Sequence, residues 1–172
     1  NAKAEWSMTL KALLTVATGL FLMTASSALA GPGHSGSGDE MAVGKPGEAG
    51  AVSRTVSIKM METDAGMAFK PNGLEVKRGE TIRFEIENIG LLEHEFVLGT
   101  VEENREHKGM MMKFPEMEHD DPNSVRLMPD GKGEIVWTFT NAGTFEFACL
   151  LPGHYEAGMH AAVKVTAGTA SN

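Results

Sequence analysis

Residues 81–88 read TIRFEIEN, with Ile82, Phe84 and Ile86 alternating with Arg83, Glu85 and Glu87. Strand side chains point to opposite faces in turn, so this segment predicts a strand with one buried face. Short β-branched and aromatic runs recur at 52–60, 94–99, 134–139, 144–149 and 160–167, with Gly and Asn between them. About seven such strands without a convincing helix predict an antiparallel sandwich or barrel. A domain spanning 52–168 can bury such a core without disulfides.

The first thirty residues have a different character. From Met8 a basic Lys11 leads into an apolar run over 12–23, then the small-residue end Ala28-Leu29-Ala30. That is the layout of a secretory signal peptide cleaved after Ala30, with residues 1–7 upstream of its start. The run is shorter than the ~20 residues of a membrane span, so no stable anchor is expected after cleavage. Residues 31–51, rich in Gly, Pro and Ser, read as a flexible leader, with His34 and Met41 as tail residues. Residues 169–172 read as a tail. Loss of Lys3, Glu5 and Lys11 takes the formal charge from −8 to −9. Nucleic acid is therefore not an expected partner, because its binding depends on Lys and Arg neutralising phosphates.

Cys149 is the single cysteine, so no internal disulfide can form. An odd cysteine in an exported chain calls for intermolecular pairing or for a reactive or metal-bound thiolate. Parity decides where it points. Phe145, Phe147 and Cys149 share one face, as do His94, Phe96 and Leu98, and Met159 goes with Ala161, Val163 and Val165. An inward His, Cys and Met at strand ends can converge at one pole, with His154 in the intervening turn as the fourth donor. One thiolate, two imidazoles and a weak axial thioether form the blue-copper type of electron-transfer site. Zinc favours tetrahedral sets richer in Cys or His. The bland alternative is a buried structural cysteine with surface histidines. His160 takes the outward parity, which leaves it contact with a redox partner or no role. Pro152 and Gly153 shape the turn, and Trp137 with Ile135 and Phe139 reads as core.

The segments MAFKPNGLEVKRGETIRFEIENIG, HEFVLG and FACLLPGHYEAGMHAAVKV resemble the signature segments of cupredoxins, the plastocyanin/azurin group of small copper proteins. The resemblance implies a Greek-key β-sandwich and one type 1 copper per chain, held by His94, Cys149, His154 and Met159. A Met/His-rich insertion departs from the ordinary members. In that respect the chain looks like the periplasmic CopI-like cupredoxins of bacterial copper-tolerance systems.

That insertion, 100–129, is too long for a hairpin loop and carries no evident strand pattern. Its first part, 101–114, is expected to form a short helix ending before Pro115. It holds His107, Met110, Met111, Met112, Met117 and His119. Two readings stand for these residues: a second, labile copper site, since thioethers suit Cu(I), or adaptable apolar cover over the sandwich. Three functions follow for the chain: a periplasmic one-electron carrier, a copper-handling protein, or an enzyme. The first two imply a redox partner protein or a copper-handling partner in the periplasm. Multicopper oxidases use paired His-x-His motifs, and this chain has none, so catalysis by the chain alone is not expected.

Overall fold

Ten strands and one α-helix form among the residues described by the computed structural model, 40–114 and 121–168. In chain order the first five strands are β1 (Lys45–Pro46), β2 (Arg54–Thr63), β3 (Gly66–Lys70), β4 (Leu74–Lys77) and β5 (Thr81–Asn88). Then come β6 (His94–Gly99), α1 (Val101–Met111), β7 (Ser124–Leu127), β8 (Lys132–Thr138), β9 (Gly143–Ala148) and β10 (His160–Thr166). They make two five-stranded sheets, ordered β1-β8-β5-β2-β3 and β4-β10-β9-β6-β7. The result is the all-β, cupredoxin-like sandwich expected. Its pairing is mixed rather than wholly antiparallel, because β2 runs parallel to β5 and β10 parallel to β4.

Alternation built this core. Ile82, Phe84 and Ile86 of β5 face inward, with Val56, Ile58 and Met60 of β2 beside them. Opposite lie Phe145 and Phe147 of β9 and Ala161, Val163 and Val165 of β10, all buried. Within one sheet, Phe96 stacks on Phe147 at 5.3 Å, and across the gap Phe69 of β3 meets Phe147 edge-on at 5.0 Å. Such aromatic pairs contribute beyond their buried area. Trp137, Ile135 and Phe139 are core, as expected.

Strand β6 is buried at all six positions, so its second face is covered too. The cover includes α1, whose Asn104 and Met111 lie seven residues apart on its buried side. The helix forms where expected and starts at a capping box. Thr100 accepts from the Glu103 amide at 3.0 Å, and the Glu103 carboxylate accepts from the Thr100 amide at 2.9 Å. Glu102 and Glu103 in the first turn also suit the positive end of the helix dipole.

Two expectations need correction. The leader was expected to be flexible to residue 51, yet β1 pairs with β8 through Lys45↔Thr138 and Pro46↔Trp137. Val43 is fully buried, and its carbonyl accepts from the Trp137 indole at 3.4 Å. Val43, with Met41 packed partly buried against the core, anchors this edge, too small a signal to stand out from Gly/Pro-rich composition. The insertion 100–129 was expected to carry no strand, yet β7 lies in its second half and pairs with β6. Only four residues long, β7 completes an edge whose register comes from its partner. The predicted signal peptide, residues 31–39, residues 115–120 and the tail lie outside the described residues.

Candidate metal centre

Three side chains arrive at one pole from three places in the chain. His94 opens β6, Cys149 directly follows β9, and His154 sits in the turn that leads to β10. Their ligating atoms all lie within 4.8 Å of one another. The Nδ1 atoms of the two imidazoles are 3.2 Å apart, and His154 Nδ1 lies 3.3 Å from Cys149 Sγ. His94 and Cys149 are fully buried and His154 is partly so. Inward parity of His94 and Cys149 is what brings them together.

The turn is held by its own backbone. The His154 amide donates to the Leu151 carbonyl at 3.0 Å, and the Met159 amide to the His154 carbonyl at 3.1 Å. The Cys149 amide donates to the Met159 carbonyl at 3.0 Å, closing the loop where β9 and β10 begin to pair. Gly153 adopts a φ of 86°, a conformation that a side chain would strain. Met159 is fully buried just before β10, and Ala161 follows on the same inward parity. His160 points out, as expected, and stacks on Tyr155 at 4.3 Å.

The surroundings fit a cation. The Cys149 thiol receives the Glu95 amide at 3.3 Å, but burial dominates and pushes its pKa up to about 12. A metal ion reverses that preference, since a coordinating thiol is deprotonated outright. Burial, then the nearby His94, holds His154 below the ordinary imidazole range, which keeps its ring a neutral donor. Two imidazoles facing a buried thiol form a soft to borderline set with no hard oxygen ligand among them.

Sequence reasoning missed the groups behind these donors. Glu62, at the end of β2, accepts from His94 Nε2 at 2.8 Å. Asn88, fully buried, donates to the carbonyls of Leu92 and Leu127 at 2.8 and 2.9 Å and accepts from the Gly90 amide at 2.9 Å. It thereby holds the loop that delivers His94. On the far face of β6, the Glu95 carboxyl is buried and pushed up to about 7 by desolvation, against the pull of Arg126. A polar residue inside an apolar strand was the available signal for Glu95. None existed for Glu62, 32 residues from its partner in sequence.

The helix leans on the ligand turn. Lys108 pairs with Glu156 at 2.6 Å and lies 4.6 Å over the Tyr155 ring. Buried Glu146 accepts from both Asn104 and Tyr155, each at 3.2 Å. The candidate second set is dispersed by comparison. Met111 is sealed in the core, Met110 and Met112 are exposed, and His107 lies between these extremes. Met117 and His119 lie outside the described residues. Among the described residues, no helix is long and apolar enough to cross a membrane.

Comparison with known proteins points to a copper-binding family. The family model for copper binding proteins of the plastocyanin/azurin family matches residues 55–166. The copper-resistant cuproprotein CopI of Rubrivivax gelatinosus is 52% identical over 116 residues, covering 67% of this chain and 68% of that protein. The copper-resistant cuproprotein CopI of Pseudomonas aeruginosa is 37% identical over 169 residues, covering 81% and 88% respectively. Among solved structures, dithionite-reduced auracyanin from Roseiflexus castenholzii matches with a TM-score of 0.56 at 23% identity. It covers 67% of this chain and 98% of its own, a likeness of fold.

Proposed function

The chain belongs to the plastocyanin/azurin family of copper-binding proteins, and we propose that it is a periplasmic type 1 copper protein acting in one-electron transfer and copper tolerance. The observation that carries this reading is the convergence of His94 Nδ1, Cys149 Sγ and His154 Nδ1 within 4.8 Å. Met159, buried and hydrogen-bonded through its backbone to Cys149 and His154, is the proposed weak axial donor, and one copper per chain is the proposed stoichiometry. Bound there, copper supplies exchange of a single electron between Cu(I) and Cu(II). The protein's own contribution is rigidity: strands β6, β9 and β10 hold the donors so that little must move when the charge changes. Copper tolerance enters from the relatives, both named copper-resistant cuproproteins. The predicted signal peptide supports the periplasm as the location, and a redox protein or a copper-handling protein is the proposed partner.

Copper titration followed by optical spectroscopy tests the assignment. An intense thiolate-to-copper band should saturate near one equivalent and vanish in Cys149→Ser. A band that persists in that variant ends the type 1 reading.

A second reading, copper buffering without a dedicated electron-transfer role, is favoured by the exposed thioethers of Met110 and Met112. These residues, with His107, Met117 and His119, would hold an additional labile Cu(I). Replacing Met110 and Met112 by Leu should then lower the Cu(I) bound per chain while leaving the optical band intact. Unchanged Cu(I) stoichiometry in that variant removes the second site. Growth of a deletion strain in copper, set beside respiratory electron flow, separates the two roles.

A further inference from the structure

We propose that Glu62 is a positioning residue for the metal centre: its carboxylate fixes the tautomer and orientation of His94 and biases the site toward Cu(II). This rests on the copper reading above, but part of it concerns the metal-free protein and is tested there.

The contact is specific. Glu62 Oε1 lies 2.8 Å from His94 Nε2, so the ring donates its Nε2 proton to the carboxylate. In the neutral imidazole this leaves the lone pair on Nδ1, the nitrogen turned toward His154 and Cys149. The same carboxylate accepts from the amides of Leu91 at 2.8 Å and Leu92 at 3.1 Å. It therefore fixes the approach loop as well as the ring. Four groups meet there in a tight fit. A Cβ on Gly90 would stand 2.7 Å from Glu62 Oε2 and 2.8 Å from Oε1, so a larger residue there would push the carboxylate off its present position.

The position of Glu62 explains how it can act. It sits near the end of β2 in the sheet opposite β6, so the contact ties the two sheets together at the metal pole. His94 has no exposed side-chain surface, while the Glu62 side chain keeps 29% of its own. The imidazole is thus dry and its partner charge is only partly screened. A carboxylate on the far nitrogen makes a ligating imidazole more basic, and a more basic donor favours the more highly charged ion. Loss of such an outer partner lowers metal affinity about 10- to 100-fold in other sites.

Two measurements on wild type, Glu62→Gln and Glu62→Ala test this together. The first is imidazole nitrogen NMR on the metal-free protein. Wild type should show His94 protonated at Nε2 only; Glu62→Gln keeps an acceptor and should retain that tautomer, while Glu62→Ala should mix the two. The second is competition for Cu(II) and Cu(I) separately. Cu(II) affinity should fall about 10- to 100-fold in Glu62→Ala, with Cu(I) affinity changing much less. Glu62→Gln, which loses charge but not shape, should fall in between.

A carboxylate that only clamps the loop would lower thermal stability in Glu62→Ala and leave the tautomer unchanged; that outcome overturns the proposal. Equal losses of Cu(I) and Cu(II) affinity would overturn the bias toward Cu(II). Failure of the copper reading itself looks different: wild type would lack the thiolate-to-copper band whatever stands at position 62.

Discussion

Cys149 and Met159 are close in sequence yet are proposed to do different work, and single substitutions separate them. The thiol is buried and resists ionisation without a cation, so Cys149→Ser should lose the charge-transfer band and most of the copper affinity. Met159→Leu conserves volume, and its folding cost should stay below about 1.5 kcal/mol by chemical denaturation. A thioether stabilises Cu(II) only weakly, so the leucine variant should keep copper with an altered spectrum. Complete loss of copper in Met159→Leu would make the thioether a principal ligand. The inward placement of His94, Cys149 and Met159 was legible because strand parity is a local rule that needs no tertiary knowledge. Glu62 was not, since nothing in residues near it signals a partner 32 positions away. Met111, grouped with the candidate donors, is sealed in the core. Three adjacent methionines look alike in sequence, but on a helix they point 100° apart, and one of them faces the sandwich.

Among the elements, β1 and α1 show how short contacts position long segments. Val43 is the one apolar residue of its stretch in the core, and Val43→Ala should cost about 2 kcal/mol in urea unfolding. A change within error would mean that residues 40–46 do not belong to the cooperative unit. For α1 the capping box is the local determinant, and Thr100→Ala should cost about 1 kcal/mol. That loss should appear first in hydrogen exchange, with faster exchange of α1 amides and unchanged amides in β5 and β8. The helix was legible through the proline after it, a local stop signal, while the Thr100 cap emerged only from the structure. Strand β7 was not, because four residues of SVRL become a strand only when β6 supplies the hydrogen bonds. The parallel pairing of β2 with β5 was equally hidden, as alternation fixes a strand's faces but not its neighbour's direction.

At the scale of the whole molecule, one core serves both stability and the site. Phe96 and Phe147, on neighbouring strands of one sheet, stack in the core, each two residues from a proposed ligand, His94 and Cys149. Phe147→Ala should cost about 3–5 kcal/mol and loosen the site with the fold. Copper should offset part of such a loss, adding about 2.7 kcal/mol at a hundredfold excess over Kd. The Arg54–Glu80 pair, 2.6 Å apart, gives the acid limb. Burial pushes Glu80 up, but the Arg54 guanidinium and the Lys77 amide outweigh it and leave the carboxyl below its usual range. A folded-state value below the unfolded one stabilises above the ordinary carboxylate pKa, and this is lost as pH falls through the folded value. Glu80→Gln should therefore flatten the acid side of the stability curve, by less than ~1 kcal/mol because Arg54 is well exposed.

Anomalous diffraction at the copper edge, from crystals of copper-loaded protein, tests the central claim most directly. The account predicts one strong peak bonded to Cys149 Sγ and to Nδ1 of both His94 and His154, with the Met159 sulfur at a longer distance. A principal peak on His94 Nε2, or among the methionines of α1 with none at the thiol, would contradict it.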